Sequence, residues 1–292
     1  MSIKEEYREY QMRQEEIKRK PMGKYWADQE KRYIHPFRIC GNVYYVGDDW
    51  VCVHLIDTGD GLLLIDSGNC GATAMLVQAI WEIGFRPDDV RWMILSHGHV
   101  DHIGGANFFR HMFGTKLYLG APDAENFEKR PELSAIQDGT NCMDHLFDPD
   151  VRIQDGDIIV FGKTRIRFYM VPGHTAGCIA CFFDIPDGNK ILKAGYFGGF
   201  GFNTMSKEYL LEAGDTSYHM REEFLDSLAK VRDEQVDVFL GNHTVNNGLL
   251  EKRQYQIEHP GENPFIDSTL WGRYLDEKRE AMEKYMRDPR NL

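Results

Sequence analysis

The segment Trp92-Met93-Ile94-Leu95-Ser96-His97-Gly98-His99-Val100-Asp101-His102 places four candidate metal ligands directly after a short apolar run. An apolar run of this length, bounded by polar residues and glycine, predicts a buried strand, so the ligands lie on the loop that leaves it. Because residues two apart in an extended loop share a face, His97 and His99 can bind one ion. Asp101 and His102 lie one turn further on and can reach a second ion. Imidazole and carboxylate groups together favour zinc.

Two more histidines follow predicted strands later in the chain. His174, in the segment 171–177, follows the alternating strand Thr164–Met170, and His243 follows the apolar run Val236–Leu240. A single histidine after a strand is more often a turn residue whose hydrogen bonds are satisfied. Assigning His174 and His243 as metal ligands therefore depends on their both following strands in the same chain as the first cluster. Together with the first cluster, these histidines make two sets of three ligands: His97, His99 and His174, and then Asp101, His102 and His243.

The HxHxDH pattern of residues 97–102, the PGHT of residues 172–175 and the GNH of residues 241–243 resemble the metallo-β-lactamase superfamily of hydrolases. The resemblance runs from Pro36–Ile39 to the final helix. It implies an α/β fold, a four-layer αββα sandwich with the metals at one edge between two similar halves. It also implies that Asp66 is a buried carboxylate bracing the ligand loop, although the residue type alone equally suits a turn.

One subclass of the family matches best. Many members, including the thioesterase glyoxalase II and most lactonases, carry a metal-bridging Asp at the end of a late strand, but residues 192–199 contain no Asp, Glu, His or Cys. The β-lactamase subclass with an all-histidine first site and an Asp-His-His second site also lacks this carboxylate. Those enzymes usually have small serine-type groups in this region, where the chain has Tyr196 among glycines. Tyr196 is therefore a candidate donor to an oxyanion, or else a packed aromatic whose hydroxyl is satisfied.

Composition limits the other function classes. The chain has 292 residues and a formal net charge of −12, which argues against a nucleic-acid surface. No apolar run reaches the length of a membrane span, and the charged N-terminus is not a secretory signal. The six scattered cysteines indicate a reducing compartment. We therefore expect a cytoplasmic protein with a small-molecule substrate, without a nucleic-acid or membrane partner, and homo-oligomerisation stays open.

The predicted elements form one domain, since ligands come from both halves and no linker separates them. We expect a helical extension over residues 1–33 and a single metallo-β-lactamase-like domain over residues 34–292. Residues 121–150 are predicted to be a long connection that can line the mouth of the site, with His145 solvated or at its rim. The predicted strands are 42–46, 51–56, 62–65, 116–119, 158–161, 166–170, 179–183 and 191–193, and the predicted helices are 72–83, 106–113, 218–231 and 267–286.

The ligand sets predict a zinc-dependent hydrolase with two Zn²⁺ ions. Three histidines leave a fourth zinc position for water, whose pKa falls to about 7, and a second zinc about 3.5–4 Å away can share the hydroxide. Asp101 would also orient that hydroxide for attack on an amide or lactam-like carbonyl. The alternatives are a hydrolase of a metabolic ester, thioester or lactone, and a zinc-binding module that has lost catalysis. The glycines of Gly195–Gly201 either let the backbone approach a substrate or form a loose turn.

Overall fold

A computed structural model describes residues 29–135 and 146–291 of the chain. The predicted helical extension therefore falls largely outside the described residues, which begin with the short helix α1 (Gln29–Arg32). His145 also lies outside them. Within the described part of the chain, no helix is both long and apolar enough to cross a bilayer.

Seven strands form the first sheet, in the order β1 to β7. Their bounds are β1 (Phe37–Cys40), β2 (Val43–Tyr45), β3 (His54–Asp57), β4 (Leu62–Ile65), β5 (Val90–Leu95), β6 (Lys116–Gly120) and β7 (Val151–Ile153). The first four pair antiparallel, and β4 to β7 pair parallel. The carboxyl ends of β4, β5 and β6 therefore meet at one edge, which is where the ligand loop leaves β5.

Five strands form the second sheet, in the order β12-β11-β10-β9-β8. Their bounds are β8 (Ile158–Phe161), β9 (Thr164–Met170), β10 (Ile179–Asp187), β11 (Lys190–Phe197) and β12 (Val238–Leu240). Strands β8 to β11 form an antiparallel meander, and β12 adds parallel to β11. The second sheet thus brings the loops after β9, β11 and β12 toward the same edge as the ligand loop.

Helices cover the outer face of each sheet. Their bounds are α2 (Thr73–Glu82), α3 (Val100–Ile103), α4 (Ala106–Phe113), α5 (Ala121–Lys129), α6 (Lys207–Ala213), α7 (His219–Val231), α8 (Leu249–Glu258) and α9 (Leu270–Arg287). One core lies between the sheets, and two others pack helices on the outer faces, with Leu76 and Phe109 on the first sheet and Phe224 and Trp271 on the second. The predicted four-layer αββα sandwich is confirmed, because each sheet buries apolar side chains on both faces.

The prediction for residues 121–150 was wrong in its first part, where the chain forms α5. Pro122 suggested a loop, but it lies in the first turn of this helix. Proline is accepted there because its missing N–H would have no partner within the helix. Strands β1 and β7 and helices α6 and α8 were also not predicted, since their short or polar sequences carry weak periodicity.

Candidate metal centre

The ligand loop makes a tight passage from β5 into α3. His97 follows the buried strand, His99 precedes the first residue of α3, and Asp101 and His102 lie in that helix. His97 and His102 are fully buried, and His99 is only 6% exposed. The sequence therefore folds four donor groups against the sheet edge rather than into solvent.

The first predicted ligand set converges. The donor atoms of His97, His99 and His174 all lie within 4.8 Å of one another. His97 Nε2 lies 3.0 Å from His99 Nδ1, and the His174 ring centroid is 4.7 Å from that of His99. Three imidazoles at this separation can surround one ion.

The second predicted set lies beside the first. Asp101 Oδ2 is 3.6 Å from His102 Nε2 and 3.8 Å from His243 Nε2, and the two imidazole nitrogens are 3.3 Å apart. Donor atoms of His97, Asp101 and His102 also fall within 4.8 Å of one another, so the two sets adjoin. The arrangement can hold two neighbouring ions.

Protonation also suits metal binding. Burial lowers the pKa of His99 to about 3, and it lowers the pKa values of His174 and His243 to about 4. Burial and the surrounding histidines also hold the pKa of His97 well below its ordinary value. These four imidazoles are neutral at pH 7, the form that donates a lone pair to a metal.

Asp101 and His102 behave differently because each lies beside an opposite charge. Burial opposes ionisation of Asp101, but His102 and His243 outweigh it and lower the pKa of the Asp101 carboxyl. Burial likewise opposes the charge on His102, but Asp101 and Asp66 outweigh it and raise the His102 pKa. The second set thus carries the negative charge that a bound cation would compensate.

The outer nitrogens of three histidines are bound to protein oxygens. His174 Nδ1 lies 2.9 Å from the Gly201 carbonyl oxygen, and His243 Nδ1 lies 3.2 Å from that of Trp50. His102 Nδ1 lies 2.8 Å from Asp66 Oδ2. Such contacts fix the ring and leave Nε2 for the metal, so the residues present fit the implied metal ions.

Asp66 connects the end of β4 to the ligand loop. Its backbone adopts a left-handed conformation with φ of 66°, and its carboxylate is fully buried. The carboxylate accepts hydrogen bonds from the Ser96 N–H at 2.7 Å, the Ser96 hydroxyl at 2.8 Å and the Tyr196 hydroxyl at 2.6 Å, besides His102. This geometry fits the bracing role that the family resemblance implies.

Tyr196 does not face an open site. Its side chain is fully buried on β11, and its hydroxyl donates to Asp66 Oδ2. Burial and the Asp66 carboxylate raise the pKa of this phenol, so it keeps its proton. The predicted oxyanion-donor role does not fit this contact, because the only hydroxyl proton is already engaged. The alternative of a packed aromatic with a satisfied hydroxyl describes Tyr196 better.

The glycines after β11 make room for the His174 ring and for the Ser96 backbone. A Cβ at Gly199 would overlap the His174 imidazole, and a Cβ at Gly201 would lie 3.1 Å from Cε1 of the same ring. A Cβ at Gly198 would lie 2.7 Å from the Ser96 carbonyl oxygen. The segment therefore packs directly on the ligand loops.

One residue at the site was missed by sequence reasoning. Asp123, in the first turn of α5, is only 2% exposed, and its carboxylate accepts the Gly98 N–H and the Thr175 hydroxyl at 2.7 Å each. It contacts both loops that carry the first ligand set. The sequence feature that could have identified Asp123 is an acidic residue just after β6, at the sheet edge where β5 also ends. We overlooked it because Pro122 was interpreted as a loop residue.

Comparisons with known proteins agree with this geometry. Residues 51–187 match the family model of the metallo-β-lactamase superfamily. A subclass B3 metallo-β-lactamase of Bradyrhizobium japonicum superposes with a TM-score of 0.77 at 25% identity, covering 89% of this chain and 96% of the other. A metallo-β-lactamase of Legionella gormanii superposes with a TM-score of 0.78 at 26% identity, covering 87% of this chain and 96% of that one.

Curated relatives match over a shorter stretch. The hydroxyacylglutathione hydrolase GloC of Haemophilus influenzae is 29% identical over 129 residues, which are 44% of this chain and 58% of that protein. A hydroxyacylglutathione hydrolase of Anaeromyxobacter dehalogenans is 27% identical over 126 residues, 43% of this chain and 39% of that protein. The chain thus spans about half the length of the curated relatives that it matches. Residues 51–187 thus match the metallo-β-lactamase superfamily, and the chain folds as the solved metallo-β-lactamases do.

Proposed function

We propose that the chain is a metal-dependent hydrolase with two Zn²⁺ ions per chain. The observation that carries this proposal is the convergence of two ligand triads at one sheet edge: His97, His99 and His174, and then Asp101, His102 and His243. When bound, the ions supply an activated water molecule at neutral pH and stabilise developing negative charge. The protein holds four imidazoles neutral and the Asp101 carboxylate ionised, so five of the six donors are in the binding form at pH 7, and His102, whose pKa is raised, is the sixth.

The preferred substrate class is an amide or lactam-like carbonyl. The solved structures with similar folds include subclass B3 metallo-β-lactamases. The end of β11, Ala194-Gly195-Tyr196-Phe197, offers no carboxylate to bridge the ions. Asp101, 14% exposed, is the carboxylate that would orient the attacking water. Asp101 lies beside His102 and His243 of its own set and within 4.8 Å of a donor atom of His97 in the first set, which supports this catalytic role.

A second candidate is hydrolysis of a metabolic thioester, ester or lactone. The curated relatives named hydroxyacylglutathione hydrolases favour it. The missing bridging carboxylate disfavours it, since the thioesterases of the family usually carry one. A catalytically inactive zinc-binding module is the least favoured, because all six ligands are present.

A substrate panel tests these alternatives. Zinc-loaded protein should hydrolyse a chromogenic lactam, and chelation or His97→Ala should abolish turnover. His111→Ala, at an exposed position on α4, is the matched control and should leave turnover intact. Turnover of thioesters but not lactams would select the second candidate. Two bound ions without turnover across lactams, esters, thioesters and lactones would select the inactive module.

We propose that residues 34–292 fold as one domain, supported by the core shared between the two sheets. We also propose a small-molecule substrate, no nucleic-acid partner, which the acidic composition supports, and a cytoplasmic location, which the scattered cysteines support.

A further inference from the structure

We propose that Asp123 is a positioning residue for the first metal site. It sets the separation between the loop that carries His97 and His99 and the loop that carries His174. This inference rests on the proposed metal binding and does not depend on which bond is hydrolysed.

The contacts of Asp123 join the two loops at three points. Oδ2 accepts the Gly98 N–H at 2.7 Å, and Gly98 separates the two histidines of the first loop. The same oxygen accepts the Thr175 hydroxyl at 2.7 Å, and Oδ1 accepts the Gly177 N–H at 2.7 Å. Thr175 follows His174 directly. One buried carboxylate therefore binds beside all three ligands of the first set.

Glycines allow this close approach from every side. A Cβ at Gly98 would lie 2.8 Å from the Phe127 ring and 3.3 Å from the Asp123 side chain. A Cβ at Gly177 would overlap the backbone of Asp123, and one at Gly120 would overlap the Gly177 carbonyl. The start of α5 therefore packs directly between the two ligand loops, and the glycine positions have no space for a side chain.

The carboxylate is costly to bury, which argues for a specific role. Burial raises the pKa of Asp123, although its three hydrogen bonds act in the opposite direction. A neutral residue of similar size would avoid that cost but would lose acceptors. Since each donor it binds belongs to a ligand loop, the stabilisation it provides acts on the geometry of the loops.

The test measures Zn²⁺ affinity of the full chain by competition with a chromogenic chelator, without substrate. His243→Ala isolates the first site, and His99→Ala isolates the second. In the His243→Ala background, Asp123→Asn should weaken Zn²⁺ binding about 10–100-fold, because the amide NH₂ faces donors where the carboxylate accepted. In the His99→Ala background, the same change should leave Zn²⁺ affinity unaltered.

A second pair of variants covers the case in which Asp123→Asn does not fold. Thr175→Val removes one of the three bonds and should weaken the first site, whereas Thr175→Ser keeps the hydroxyl and should restore affinity. Equal losses in both backgrounds, unaltered affinity of the first site, or Thr175→Ser behaving like Thr175→Val would overturn the proposal. If the wild type binds two ions but hydrolyses nothing, the proposed hydrolase function fails and the role of Asp123 stands.

Discussion

Asp66 and Asp123 are both buried carboxylates beside the ligand loop, yet they contact it differently. Asp66 binds a ligand ring directly, through His102 Nδ1, and is itself bound by Tyr196 and Ser96. Asp123 contacts no ligand ring among its hydrogen bonds and binds the backbone of Gly98 and Gly177 and the Thr175 hydroxyl.

The difference shows two ways in which a protein can prepare a metal site. A carboxylate on the ring fixes its tautomer and raises its basicity, and Asp66 adds in this way to Asp101 in raising the pKa of His102. A carboxylate on the backbone fixes loop spacing and leaves ring basicity to burial, which agrees with the low pKa values of His99 and His174. Asp66 thus tunes the basicity of a ligand ring, whereas Asp123 sets the spacing of the ligand loops.

The largest effect is expected from Asp66→Asn. Asn tolerates the left-handed backbone at this position, so the change isolates the carboxylate. Its NH₂ would face donor groups of Ser96, His102 and Tyr196, and we expect Zn²⁺ affinity at the second site to fall about 10–100-fold. Chelator competition in the His99→Ala background measures it. Asp60→Asn, at an exposed turn, is the control, and unaltered affinity in Asp66→Asn would remove the bracing role.

Gly199→Ala should damage the first site without touching either carboxylate. The new Cβ would overlap the His174 ring, so that ring must move, and we expect about tenfold weaker Zn²⁺ binding in the His243→Ala background. Gly272→Ala is the matched control, since its Cβ meets the end of the flexible Arg232 side chain. Equal affinities for the two variants would show that the ring has room to adapt.

The comparison also predicts opposite titrations in the metal-free protein. His99 and His174 have folded pKa values of about 3 and about 4, below their unfolded values near 6.5. The unfolded state therefore binds more protons in this interval, and these residues lower stability as pH falls from about 6.5 to about 4. His102 has a raised pKa, so its contribution is present below its unfolded pKa and is lost as pH rises through its folded pKa. As pH rises, NMR of the histidine rings should show His102 losing its proton at a higher pH than His99 and His174. A common pKa for the three rings would contradict the difference between them.

The smallest effect is expected from Tyr196→Phe. The change removes one hydrogen bond to Asp66 and keeps the buried ring, so the free energy of unfolding should fall by about 1–3 kcal/mol. Turnover should change little, whereas loss of a true oxyanion donor costs about 100–1,000-fold in kcat. Denaturant unfolding and steady-state kinetics measure the two quantities. A large loss of kcat at unchanged stability would restore the oxyanion role.

Elements with strong local patterns were predictable from the sequence. Strands Leu62–Ile65 and Ile158–Phe161 and helix Ala106–Phe113 lie at their predicted bounds, because each shows its periodicity or apolar run within its own residues. Helix α5 was missed because its polar sequence and Pro122 resemble a loop. Phe127 stabilises it by packing on the first sheet, a contact that only the folded chain reveals.

By itself, the sequence determined the six candidate ligands and their order along the chain, since donor chemistry belongs to the residue type and a strand end is a local feature. Only the tertiary structure decided which groups hold those ligands in place. Asp66 and its donor Tyr196 are 130 positions apart, and Asp123 and Gly177 are 54 apart. Such contacts form when two sheets pack face to face and their loops meet at one edge, and no local periodicity specifies which side chains will then be neighbours.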